Sequence, residues 1–185
     1  MDLIGSWCYG TLLEDVCQNV VFLLCGYDEE QMDPEMLPTI AQHIPAGTSA
    51  FVIVHYGQEY NNGIAFLYFS LISSEIFSSS GQFIGFDWGS AELNQLHHGA
   101  DQPPVYDPSM INTKVALFYG NNDWLSAVED VDHLSLELMT GGSLVERYLN
   151  PWDGWNHFDY LFARDIDQYQ NEHLLEVLQK YPISE

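Results

Sequence analysis

Twelve residues constrain this chain more than any others: Lys114 to Leu125, K-V-A-L-F-Y-G-N-N-D-W-L. Val115 to Tyr119 is an apolar run of the length of a buried parallel strand. Gly120-Asn121-Asn122 stops it with residues that favour turns. Asp123 follows at once, ahead of a predicted helix. Open α/β sheets keep their chemistry just past the carboxyl ends of buried strands. An Asp placed there either caps the next helix or orients a histidine, and position alone leaves both open.

The residues after Met110 extend this pattern. Leu125 to Met139 is predicted helical, with Val128, Val131, Leu134 and Leu138 inward and Glu129, Asp130 and Asp132 outward. Gly141-Gly142 ends it. Leu144 to Leu149 is a second predicted strand, and Asp165 to Lys180 a closing helix. Between them an aromatic loop, Asn150 to Asn156, delivers His157. Strand, helix, strand, helix reads as a piece of a parallel sheet. Two strands are too few for a stable sheet alone. Asp123 and His157 thus each follow a strand, in that order. A buried Asp that orients a His lets the imidazole move protons for a serine hydroxyl.

The opening third is predicted to be helical. Leu12, Leu13, Val16, Val20, Leu23 and Leu24 fall near helical spacing within Leu3–Leu24, and Gly26 ends the helix. Asp28 to Asp33 reads as an acidic, solvated link. Pro34 to Ile44 is a short helix with Met36, Leu37, Ile40 and Ala41 inward, and Ala50 to Tyr60 another. Ile64 to Ser80 is aromatic and Ser-rich, with no clear period. Gln82 to Trp88 is extended or irregular, and Ala91 to His98 a helical turn. The Pro-rich Gln102–Pro108 is a fixed connector, and a subdomain boundary falls there.

Charge narrows the partners. Asp and Glu number 27 against 4 Lys and Arg, a net charge of -23. That balance argues against nucleic acid and against docking on anionic membranes, and suggests a chain best suited to mildly acidic pH. No run reaches the roughly 20 apolar residues of a membrane helix, and Met1 to Gly10 lacks the pattern of a secretory signal. Cys8, Cys17 and Cys25 show no zinc spacing. Any two of them could pair. His97, His98 and Asp101 fall on different faces of a helix, so no metal and no cofactor is expected. Glu129 to His133 lacks the glycine and terminal Glu of a calcium loop.

Several segments together resemble the gastric and lysosomal acid lipase family, whose members have the α/β-hydrolase fold. They are Pro45-Ala46-Gly47-Thr48-Ser49 with His55 and Gln58, then Phe86-Asp87-Trp88-Gly89-Ser90, then Gln102-Pro103-Pro104-Val105-Tyr106. Gly120-Asn121-Asn122-Asp123-Trp124-Leu125 resembles the motif that carries the family's triad Asp. Trp155-Asn156-His157-Phe158-Asp159-Tyr160 resembles the one that carries its triad His. The resemblance implies the C-terminal half of such an enzyme, a partial α/β-hydrolase. Residues 1–107 would be a mostly helical cap, and 108–185 the last strands and helices of the core. It implies a neutral lipid ester, triacylglycerol or sterol ester, as substrate. It also implies a secreted or lysosomal location, a Cys8–Cys17 disulfide and a free Cys25.

Two departures stand out. No G-x-S-x-G occurs: Ser49 comes nearest, but Phe51 stands where the last Gly must be. The nucleophile elbow is expected in an N-terminal half outside this chain, so the chain alone is expected to be inactive. Residues 64–81 look like an insertion, because joining Asn62-Gly63 to Gln82-Phe83 restores the family's spacing. A genuine loop and a retained intron both fit. The alternative to a hydrolase arm is a non-catalytic lipid- or protein-binding cap module. Phe51, Tyr56 and Tyr60 would then line an acyl groove or simply pack the core.

Overall fold

The computed structural model describes residues 14–44, 47–61 and 82–182. Cys8, the stretch 64–81, the side chain of Tyr60 and the first turns of the predicted N-terminal helix lie outside the described residues. In chain order the elements are α1 (Glu14–Cys25), α2 (Leu37–His43), α3 (Ala50–Asn61), β1 (Phe83–Ile84), α4 (Ala91–His98), β2 (Val105–Tyr106), β3 (Val115–Tyr119), α5 (Val128–Gly141), β4 (Leu144–Leu149), α6 (Asp159–Phe162) and α7 (Glu172–Lys180). Helices and few strands thus mix in one α/β chain. By their contacts the described residues form two units. One holds 14–44, 114–132 and 144–182; the other holds 47–61, 82–113 and 133–143. The helices before residue 45 therefore group with the C-terminal α/β elements, whereas the sequence suggested a boundary near Asp107.

In the first unit, β3 and β4 pair in parallel, from Val115 opposite Leu144 to Tyr119 opposite Leu149, with an irregularity between Val115 and Ala116. The sequence predicted a buried β3, but only Tyr119 is buried and Val115–Phe118 are half-buried. Among the described residues this sheet has two strands, so no third strand covers either edge. α5 starts three residues later than its apolar pattern suggests, because Asp123 Oδ1 accepts the N–H groups of Leu125 and Ser126, both at 2.9 Å. They form a turn ahead of the helix.

The core of this unit is Phe22, Met32 and Leu37, with Cys17, Val21 and Phe158 packed against it. The sequence stripe had pointed elsewhere: Val16, Val20, Leu23 and Leu24 are exposed. The large ring of Phe22 is the buried one, and Cys17 and Val21, four residues apart, lie beside it. Met36 is likewise exposed, while Leu37 and Ile40 are buried. The acidic link is not solvated at either Asp28 or Gln31, both buried. Gln31 bridges to Asp165, donating from Nε2 to its carboxylate at 3.2 Å and accepting its N–H at 3.0 Å. The predicted closing helix is a π turn, Asp167–Asn171, continued by α7.

In the second unit, β1 and β2 form a two-residue antiparallel ladder, so the Pro-rich connector is extended, as its sequence implies. The side chain of Gln58 acts as a further rung: it donates to the Asp87 carbonyl at 2.7 Å and accepts the Asp87 N–H at 2.9 Å. His55 Nε2 bonds to the Ile84 carbonyl at 2.9 Å. Ser90 caps α4 through the Leu93 N–H. No described helix is long and apolar enough to cross a membrane.

Candidate active site

The site is built where three segments of the first unit meet. Gly120, at the end of β3, faces the Trp155 carbonyl so closely that a Cβ there would overlap it. Asn122 then crosses the gap between the loops. Its N–H donates to Trp155 O at 3.3 Å, and its Nδ2 donates to Gly154 O at 3.0 Å and Tyr27 O at 2.7 Å. Asp123 comes next, with its side chain 1% exposed.

The C-terminal end of α1 supplies the third segment. Helix ends leave carbonyls without partners. Here the Cys25 carbonyl accepts the N–H of His157 at 3.2 Å and of Trp124 at 3.4 Å. The next carbonyl, Gly26 O, accepts Asn156 Nδ2 at 2.9 Å, and Tyr27 O holds Asn122. Three consecutive carbonyls thus tie the Asp123 loop to the His157 loop. Gly26 fits this role because its φ is 109°, a conformation that side chains seldom adopt. A Cβ there would also overlap the Asn122 carbonyl.

Between these loops the two predicted residues meet. His157 Nδ1 lies 3.0 Å from Asp123 Oδ2 and 3.2 Å from Oδ1. A carboxylate only accepts hydrogen bonds, so Nδ1 carries the proton. The His157 side chain is 47% exposed, and Nε2 is the ring nitrogen that Asp123 does not engage. The hydrogen bond to Asp123 raises the His157 pKa above its ordinary 6.5, against the opposing effect of burial, and the charge of Asp123 adds to the rise. Asp123 is not the cap of α5, which begins at Val128; its Oδ1 closes the turn before that helix, and both its oxygens face His157 Nδ1.

The neighbours are apolar or acidic. Trp155 is fully buried, edge-on to Tyr160 at 6.1 Å. Burial and the charge of Asp123 push the Tyr160 hydroxyl well above its usual range. Cys25 is a free thiol, pushed up by burial and then by Asp123 and Asp159. Asp159 is buried, and its Oδ2 accepts the Asn156 N–H at 2.7 Å.

The remaining sequence candidates have structural occupations. Ser49 Oγ accepts the Phe51 N–H at 3.2 Å, as a helix-capping hydroxyl does. His97 stacks on Trp88 at 3.6 Å, and His98 bonds to the Phe86 carbonyl at 2.8 Å. Phe51 contacts Phe86 and Trp88 yet is largely exposed, as is Tyr56. Sequence reasoning missed Asp28, Asn156, Asp159 and the Cys25–Tyr27 carbonyls. The polar residues flanking His157 in W-N-H-F-D-Y were the one available signal.

Comparison with known proteins finds lipases. Lipase 3 of Drosophila melanogaster is 34% identical over 167 residues, 90% of this chain and 37% of its own length. The lysosomal acid lipase/cholesteryl ester hydrolase of Rattus norvegicus is 28% identical over 174 residues, 94% of this chain and 38% of its own. The gastric triacylglycerol lipase of Homo sapiens is 29% identical over 161 residues, 87% and 35% respectively. No family model matches the chain. The chain belongs to the acid lipase family. It spans well under half the length of these curated relatives.

Proposed function

We propose that this chain carries the Asp–His arm of a serine ester hydrolase acting on neutral lipid esters, and that the serine nucleophile comes from polypeptide outside these 185 residues. The observation that carries the reading is the Nδ1–carboxylate pair at 3.0 Å, with Asp123 buried and His157 half-exposed. In this reading Asp123 fixes the imidazole with its proton on Nδ1. Nε2 takes the serine proton as the hydroxyl attacks the ester carbonyl, and returns it to the leaving alcohol. The relatives' names support a lipid ester as substrate and a secreted or lysosomal location. A Cys8–Cys17 disulfide would suit such a compartment. It is supported by Cys17 being disulfide-bonded while Cys25 is free.

The test is a serine-directed phosphonate and a short-chain ester, applied to the chain alone and to a longer polypeptide that adds an elbow-bearing segment. The chain alone should neither label nor turn over. The longer polypeptide should do both, and His157→Gln should lower its kcat by about 10³-fold or more. Labelling of the chain alone, or an active His157→Gln variant, would overturn the reading.

A further inference from the structure

Two buried carboxyl groups lie behind the His157 turn, and neither has a role in the reading above. Asp159 is 2% exposed and Asp28 5%. Asp28 Oδ2 accepts Trp152 Nε1 at 2.7 Å, and its Oδ1 accepts the Gln31 N–H at 3.2 Å. Asp28 also lies within hydrogen-bonding range of Asp159. Two carboxylates so close and out of water need a counter-charge or a proton.

The sequence offers no spare counter-charge. It has four basic side chains besides histidine, and all are committed elsewhere. Lys114 lies over the Tyr181 ring, Arg147 pairs with Asp132, Arg164 donates to the Met32 carbonyl, and Lys180 reaches Glu146. The other titratable groups around Asp159 are Asp123, Cys25 and Tyr160, none of them cationic, and His157, whose Nδ1 is given to Asp123.

We propose that Asp159 and Asp28 hold one proton between them, resident on Asp159, and that this O–H···O contact positions His157 by fixing the Asn156–Phe158 turn. The turn is assembled on the same carboxyl group. Asp159 Oδ2 takes the Asn156 N–H, while Asn156 Oδ1 takes the N–H of Phe158 at 2.7 Å and of Asp159 at 3.2 Å. Burial, with the Asp28 carboxyl against it and the charge of Asp123 behind, pushes Asp159 up to about 7. Above that pH one proton passes to solvent, two buried carboxylates repel, and the turn that carries His157 loosens. Asp159 is a positioning residue, since it acts through the His157 backbone. The inference rests on His157 being the proton-shuttling base, but its test uses no turnover.

The experiment is a carboxyl ¹³C titration of the whole chain, with amide hydrogen exchange at residues 156–158 across the same pH range. The Asp159 carboxyl should titrate near 7 instead of its ordinary 3.8, and turn protection should fall through the same midpoint. Asp159→Asn keeps an acceptor for the Asn156 N–H and a donor toward Asp28, and should abolish that step in protection. Asp28→Asn should lower the Asp159 midpoint. An Asp159 midpoint below about 5, or an unchanged step in Asp159→Asn, would overturn the proposal. If Asp159→Asn fails to fold, the titration of the unaltered chain decides. An absence of esterase activity in the longer polypeptide would sink the proposed function and leave this titration untouched.

Discussion

Asp123 answers two demands with one carboxylate. Its Oδ1 closes the turn at Leu125 and Ser126, and both oxygens face His157 Nδ1. Removing it therefore has a structural cost separate from any chemical one. Asp123→Ala leaves two N–H groups and an imidazole N–H without their acceptor. It should cost about 1–3 kcal/mol, read from urea unfolding. Asp123→Asn keeps an acceptor and should cost less. Equal losses in the two variants would mean that the charge, not the turn, holds this loop. Asp123 and His157 could be found in sequence because each stands in a short motif after a strand. Asp28 could not. Its neighbours, D-E-E-Q-M-D, read as solvated, and its hydrogen-bond donor is a tryptophan 124 residues away.

At the scale of elements, the site depends on how a helix ends and two loops begin. β3, α4 and β4 have the bounds that their sequences suggest, because each is a short apolar or capped run with a clear stop. The tie between α1 and the loops left no such trace, since it is made by carbonyls, which every residue has. The glycines that permit it can be tested. Gly120→Ala would drive a methyl group into the Trp155 carbonyl, and Gly26→Ala into that of Asn122. Each should destabilise the chain by about 2 kcal/mol or more. Gly89→Ala, with a positive φ but open space around it, should cost about 1 kcal/mol. If all three cost the same, close approach is not what selects glycine at 26 and 120.

For the whole molecule, pH is the governing variable. Asp159 and His157 both have folded pKa values above their unfolded ones. Such groups contribute stability that is complete below the unfolded value and lost as pH rises through the folded one. For Asp159 the window runs from about 4 to about 7, with a slope of at most about 1.4 kcal/mol per pH unit. His157 adds a step that ends above 6.5. The net charge of -23 acts in the same direction, because self-repulsion grows as carboxyls ionise. Thermal melts should therefore show maximal stability below neutral pH, with added salt raising Tm more at pH 8 than at pH 5. A maximum above pH 7 would contradict this. The central claim, that Asp123 holds His157 as a base poised at Nε2, is tested most directly by ¹⁵N NMR of the His157 ring in the whole chain. The account predicts the Nδ1–H tautomer when neutral, a pKa above 6.5, and a fall in that pKa in Asp123→Asn. An Nε2–H tautomer, or a pKa that Asp123→Asn leaves unmoved, would contradict it.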